Sequence, residues 1–134
     1  DAVEPDETAR SAAQRMKLEN VGSLVVIDED RKPLGILTDR DLTLRVVAAG
    51  KIPDKTYVRD IMSEDPMMVP EATPIEMALE KMKSHAYRRI LVVDGQGRLE
   101  GILSVDDVID LLAEEITTIG GLLNRQSVRY RPGE

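Results

Sequence analysis

Two hydrophobic periods alternate along this chain, and the alternation occurs twice. In "TPIEMALEKMKSH" (73–85), Ile75, Ala78, Leu79 and Met82 recur at helical spacing, and Pro74 suits a first helical turn. "RILVVD" (89–94) is a short run rich in β-branched residues, "GQG" a turn, and "RLEGILS" (98–104) a second strand. Helical spacing resumes in "VDDVIDLLAEEI" (105–116) through Val108, Ile109, Leu112 and Ile116. The first half predicts the same series: a helix over about 6–19, a strand at 24–28, the turn "DEDRKP", a strand at 34–37 and a helix over about 39–49. Gly50 is a natural stop for that last helix, and "KIPDK" reads as a connection.

The halves are copies. An ungapped shift of 66 residues sets Val26 on Val92, Asp28 on Asp94, Gly35 on Gly101, Ile36 on Ile102, Leu37 on Leu103, Thr38 on Ser104 and Asp41 on Asp107. It also sets Val3 on Val69, Ala12 on Ala78, Met16 on Met82 and Lys17 on Lys83. This is an internal duplication with units at 1–52 and 57–118, followed by a weakly basic tail at 119–134 behind the helix-interrupting Gly120–Gly121. One stretch has no counterpart. "YVRDIMSEDPMM" (57–68) leads into the second copy, and its equivalent falls almost wholly ahead of Asp1. The first copy is therefore expected to lack its opening strand or to be truncated there, truncation being favoured.

Composition narrows the function classes. The 134 residues contain no Cys, Phe or Trp, so the core must be aliphatic, and disulfides, thiolate catalysis and Cys-based zinc sites are excluded. The formal net charge of −7 argues against generic nucleic-acid binding. No apolar run approaches the ~20 residues a membrane helix needs.

The duplicated phrase, "GILTDRD" (35–41) and "GILSVDD" (101–107), supports two readings. In the first, Thr38 and Ser104 cap helix N-termini while Asp41 and Asp107 complete capping boxes. In the second, a strand ending in a glycine and a hydroxyl and turning into a helix marks the place where α/β folds hold ligands. The glycine then admits close approach, and the carboxylate accepts the paired hydroxyls of a ribose. Positive charge for phosphates must come from elsewhere. Arg88 and Arg89, just before the strand of the second copy, are candidates, where the first copy has Gly22 and Ser23. They read equally as an exposed surface pair. Neighbours on a strand point to opposite faces, so both reach one ligand only if this stretch is irregular.

These residues together resemble a tandem pair of cystathionine-β-synthase-type (CBS) domains, a Bateman module. Both copies fit the family's Gly-aliphatic-x-Ser/Thr-x-x-Asp signature; "VRDIMSEDPMMVPEATPIEMALEKM" is similar to the opening of a repeat, and "RRILVVDGQGRLEGILS" to its central hairpin, over about residues 3–118. The resemblance implies an α/β (α+β) fold of two βαββα repeats about a pseudo-twofold axis. It also implies a regulatory role in which AMP, ADP or ATP, or else S-adenosylmethionine or NAD, sits in a cleft between repeats. Carried over by position, the more complete site combines Gly35, Ile36, Thr38 and Asp41 with Pro66, Met67, Tyr87, Arg88 and Arg89. A weaker second site combines Gly101, Ile102, Ser104 and Asp107 with Val21 and Gly22. No metal is expected. A cytoplasmic homodimer paired through the repeat helices, acting on an effector protein not identified by the sequence, is the implied setting.

Other classes have less support. The single histidine, His85, ends a helix and reads as a surface residue, and no nucleophile elbow, phosphate-binding glycine loop or metal-spaced cluster is present. The arginines of the tail are too few for DNA binding. A ligand-free dimerisation module remains the main alternative, with "TLRVVAAG" and "VIDLLAEEITTIGGLL" as its apolar helical surfaces.

Overall fold

The computed structural model describes residues 2–85, 88–106 and 108–110. In chain order its elements are β1 (Ala2–Val3), α1 (Ala9–Glu19), β2 (Ser23–Ile27), β3 (Pro33–Thr38), α2 (Asp39–Leu42), α3 (Val58–Ile61), β4 (Ser63–Glu64), β5 (Met68–Pro70), α4 (Ile75–His85), β6 (Arg89–Val93) and β7 (Leu99–Ser104). The mixed α/β class expected from the sequence is what the structure shows. Residues 105, 106 and 108–110 are helical, and the rest of the helix expected to 116, with the tail, lies outside the described residues.

The strands form a four-stranded sheet, β1-β2-β3-β4, and a three-stranded sheet, β5-β6-β7. The duplication is repeated in the hydrogen bonding. Val3 pairs in parallel with Val26, and Val69 with Val92; Val26 stands opposite Gly35, and Val92 opposite Gly101. Each hairpin is closed by an aspartate. Asp28 Oδ1 accepts from the Asp30 and Lys32 N–H groups at 2.8 and 2.9 Å, and Asp94 Oδ1 from Gln96 and Arg98 at 2.8 and 3.0 Å. The residue needing a left-handed conformation is Gly97 in one turn (φ 79°) and Arg31 in the other (φ 63°).

α1 follows from its caps and its spacing. Thr8 Oγ1 accepts from the Ser11 N–H at 3.1 Å, and Asn20 ends the helix in the left-handed region at φ 55°. Between them Ala9, Ala12 and Met16 turn inward and are buried with Val3, Leu24, Val26, Leu37 and Val46. The sheets meet through a smaller cluster, in which Val25, Ile27 and Ile36 of the first touch Leu91 and Leu99 of the second. Arg31 crosses there. Its carbonyl accepts from the Leu99 N–H at 2.9 Å, and its guanidinium donates to the Leu99 carbonyl at 3.2 Å.

Two sequence expectations need correction. The opening strand of the first repeat is present, because β1 takes the register on β2 that β5 takes on β6. Two residues are too few to show an alternating pattern. α3 and β4, which lead into β5, have no counterpart among the described residues ahead of β1. The second correction concerns the helix expected over 39–49. It is α-helical to Leu42 and then π-helical over Thr43–Val47, with the Ala48 N–H donating to the Thr43 carbonyl at 2.8 Å. The wide turn sets Arg45 against the end of α3, where it donates to the Ile61 and Met62 carbonyls at 3.0 Å each.

α3 and β4 belong by sequence to the second repeat but complete the first. Val58 and Ile61 are fully buried in the first repeat's core. Removing such a side chain from water stabilises by about 1.5–3 kcal/mol. β4 adds antiparallel to β3, with Ser63 opposite Ile36 and Glu64 opposite Gly35. Gly35 is obligatory there: a Cβ would stand 2.5 Å from the Ser63 carbonyl oxygen and 2.9 Å from Met62 Sδ. Among the described residues, no helix is long and apolar enough to cross a membrane.

Candidate functional site

At the end of β3 the capping geometry is realised in full. Thr38 Oγ1 accepts from the Asp41 N–H at 3.1 Å, and Asp41 Oδ2 accepts from the Thr38 N–H at 2.9 Å. The other oxygen, Oδ1, lies 3.8 Å from Arg45 Nε, and the Asp41 side chain is mostly buried at 13% exposure. The carboxylate is thereby fixed in direction by its own helix end. Alternation along β3 turns Leu37 into the core and puts Thr38 on the Ile36 side, about 7 Å further on.

On that side lies a cavity of about 240 Å³ lined by Ile36, Ser63, Glu64, Asp65, Pro66, Met67, Arg88 and Arg89. It unites Ile36, Pro66, Met67, Arg88 and Arg89 of the residues expected from the sequence. Gly35 sits under β4, Thr38 and Asp41 form the cap at the end of β3 and are not among the residues lining the cavity, and Tyr87 lies outside the described residues. The wall at 63–67 is the crossing from β4 in one sheet to β5 in the other, and Met67 is anchored by its carbonyl, which accepts from the Leu91 N–H at 2.8 Å.

Both arginines reach the cavity because only one belongs to a strand. Arg88 stands in a bend, its carbonyl accepting from the Val105 N–H at 2.9 Å, while Arg89 begins β6 opposite Ser104. Arg88 Nη2 lies 3.5 Å from Asp106 Oδ1, and both side chains are more than two-thirds exposed. Such a pair costs little to open. The side chain of half-buried Arg89 has no hydrogen-bond or ion-pair partner among the described residues. The sequence reading missed Ser63, Glu64 and Asp65. Their signal was their place in the unpaired stretch directly before Pro66.

Of the residues expected to form a second site, the described ones of the two repeats line no common cavity named here. Val21 packs on the first core, and Gly22 is exposed beside Asp39. Gly101 and Ile102 instead line an open groove of about 430 Å³ with Val69, Ala78 and Val92 of their own repeat. Ser104 ends β7, and Asp107 lies outside the described residues. His85 is exposed at the end of α4, with Nδ1 3.0 Å from the Lys81 carbonyl. No cluster of three or more His, Asp or Glu suited to a metal ion occurs among the described residues.

Two carboxylates elsewhere titrate low. Burial raises the Glu7 carboxyl, but the Glu4 N–H, Arg15 and Ser11 together outweigh it and hold the group below its ordinary value. Asp94 is lowered mainly by the Arg98 N–H, against a smaller opposing effect of burial.

The fold and its paired repeats define a class. The sequence model of the CBS domain matches residues 2–48 and again 58–114, and the chain belongs to the CBS-domain family as a tandem pair. The protein MK0525 of Methanopyrus kandleri is 37% identical over 115 residues, which are 86% of this chain and 59% of that protein. The chain thus spans less than two thirds of that relative. Among solved structures, the CBS-domain protein NE2398 superposes with a TM-score of 0.73 at 29% identity, over 84% of this chain and 87% of the other. CBSX2, solved in complex with AMP, superposes with a TM-score of 0.72 at 24% identity, over 85% and 88% of the two chains. At that identity the likeness shows the fold.

Proposed function

We propose that this tandem CBS module is a regulatory binder of an adenosine nucleotide, held in the cavity between β3, the β4–β5 crossing and the start of β6. The observation that carries the reading is the convergence of Arg88 and Arg89 on a cavity with the apolar surface of Ile36, Pro66 and Met67. A flat, weakly polar base suits Ile36 and the polarizable Met67. Two guanidiniums, one without a partner among the described residues and one in a weak surface pair, suit a phosphate. Between them, the end of β3 offers Thr38 and Asp41 to the ribose. That a protein of this fold holds AMP, as CBSX2 does, supports the ligand class. The role proposed is binding rather than catalysis.

The test is a thermal-shift panel with AMP, ADP, ATP, S-adenosylmethionine and NAD on the parent chain, Arg89→Ala and Asp41→Asn. A ligand at 100 times its Kd should stabilise by about 2.7 kcal/mol. Asp41→Asn retains an oxygen for the Thr38 N–H, so it separates ribose recognition from capping. The expected result is a shift reduced in both variants. No shift with any ligand would leave a dimerisation module, a second reading that rests on Leu44 and Val47, 49% and 73% exposed along the outer face after α2.

A further inference from the structure

The cavity between β3, the β4–β5 crossing and the start of β6 carries more acid than a phosphate site needs. Its wall holds two guanidiniums, Arg88 and Arg89, and two carboxylates, Glu64 and Asp65. Arg88 is already shared with Asp106, 3.5 Å away, so acids in and beside the wall outnumber the cations. The side chains of Glu64 and Asp65 have no hydrogen-bond or ion-pair partner among the described residues, and their charge is not cancelled locally. A cavity of about 240 Å³ is only about 8 Å across, comparable with a Debye length of about 8 Å at physiological salt. A ligand between the arginines therefore feels the acids as well. One phosphate, with a charge of about −1.5 to −2, is matched by the two guanidiniums. Each further phosphate adds negative charge that no further cation in the lining meets.

The two acids of the wall are not equivalent. Ser63 stands opposite Ile36 in the β3–β4 ladder and shares its face, whereas Glu64 stands opposite Gly35 and takes the other face. Asp65 ends this alternation. Its backbone is left-handed, φ 53°, a conformation that Asp tolerates better than most residues. Pro66 follows and narrows the conformations open to residue 65, and the Met67 carbonyl is fastened to β6 by the Leu91 N–H at 2.8 Å. Asp65 thus stands at the bend of the crossing, in the cavity wall, on a backbone held from both sides. Such backbone outliers persist where the surroundings over-determine them, and they cluster at ligand sites.

We infer, resting on the nucleotide site proposed above, that Asp65 is the specificity-determining residue that limits the ligand to a single phosphate. The arginines hold the first phosphate, and the carboxylate fixed at the bend repels the continuation of a di- or triphosphate chain. Occupancy of the module then follows the amount of the nucleoside monophosphate and is little affected by the triphosphate.

The test is calorimetric titration of residues 1–134 with AMP, ADP and ATP, without divalent cations, in the parent, Asp65→Asn and Glu64→Gln. Asn is as much at home in the left-handed region as Asp, so Asp65→Asn removes the charge and keeps the bend. The parent should bind AMP at least about ten-fold more tightly than ATP, and Asp65→Asn should shrink that ratio by about five-fold or more. Glu64→Gln makes the same change of charge on the other face of β4 and should move the ratio by less than about two-fold. High salt should also shrink the parent's ratio, which exclusion of the longer ligand by size alone would not do. A parent that binds ATP as tightly as AMP overturns the inference. So does a ratio that Asp65→Asn or high salt leaves unchanged, or that Glu64→Gln shrinks as much; in each of these cases AMP binding still supports the nucleotide site. Binding of none of the three overturns the inference together with the adenine-nucleotide reading on which it rests.

Discussion

Substituting Gly35 by alanine adds one methyl group at the most crowded glycine among the described residues, and its cost can be worked from the geometry. The new Cβ stands 2.5 Å from the Ser63 carbonyl oxygen, about 1 Å inside ordinary contact, and 2.9 Å from Met62 Sδ. Met62 can rotate away, but the carbonyl is backbone held in the β3–β4 pairing and cannot retreat without parting the strands. Overpacking of this kind costs about 1–3 kcal/mol. For a domain of this size that corresponds to a fall of roughly 3–15 °C in Tm. Gly101→Ala is the internal control, the same substitution at the equivalent position with nothing within 4 Å of the added atom. It should be neutral, or stabilise by about 0.4–1 kcal/mol through a less flexible unfolded chain. Urea denaturation of both variants of residues 1–134 measures the pair. Equal losses at the two glycines, or no loss at Gly35, would refute the claim that β4 makes Gly35 obligatory.

Two further outcomes are expected. Thr38→Ala should lower stability by about 0.5–2 kcal/mol through loss of the cap on the Asp41 N–H, read by the same denaturation. Glu7 titrates below its unfolded value of about 4.5, so its contribution is complete above that pH and is lost as pH falls through the folded value. The stability difference between the parent and Glu7→Gln, measured from pH 7 to pH 3, should therefore be largest near neutrality and shrink below pH 4.5.

The core of each repeat was legible because its signals are local. The spacing of Ile75, Ala78, Leu79 and Met82 gave α4, and the equivalence of Asp28 with Asp94 carried over to identical turn bonds. The two meanings of "GILTDRD" could not be separated in sequence, because a cap and a ribose site ask for the same residues at the same spacing. The structure shows the cap. The contribution of residues 58–64 was hidden for a different reason. Its partners, Val3, Gly35 and Leu37, lie far back along the chain, and four helical residues followed by two extended ones leave no periodicity to read. The π-helical turn was hidden likewise, since its Arg45 is tied to carbonyls 16 and 17 residues away.

The loan of β4 from one repeat to the other's sheet also bears on how the molecule comes apart. Ile61 and Gly35 hold the segment in the first repeat, while Met67 and Met68 tie the next few residues to β6 of the second. Neither half can melt without pulling on a strand that the other half needs, so unfolding is expected as one transition rather than two. The short crossing at residues 65–67 is then a tendon between two bodies. A molecule seated against Pro66 and Met67 would press on that tendon, whose two ends run into different sheets.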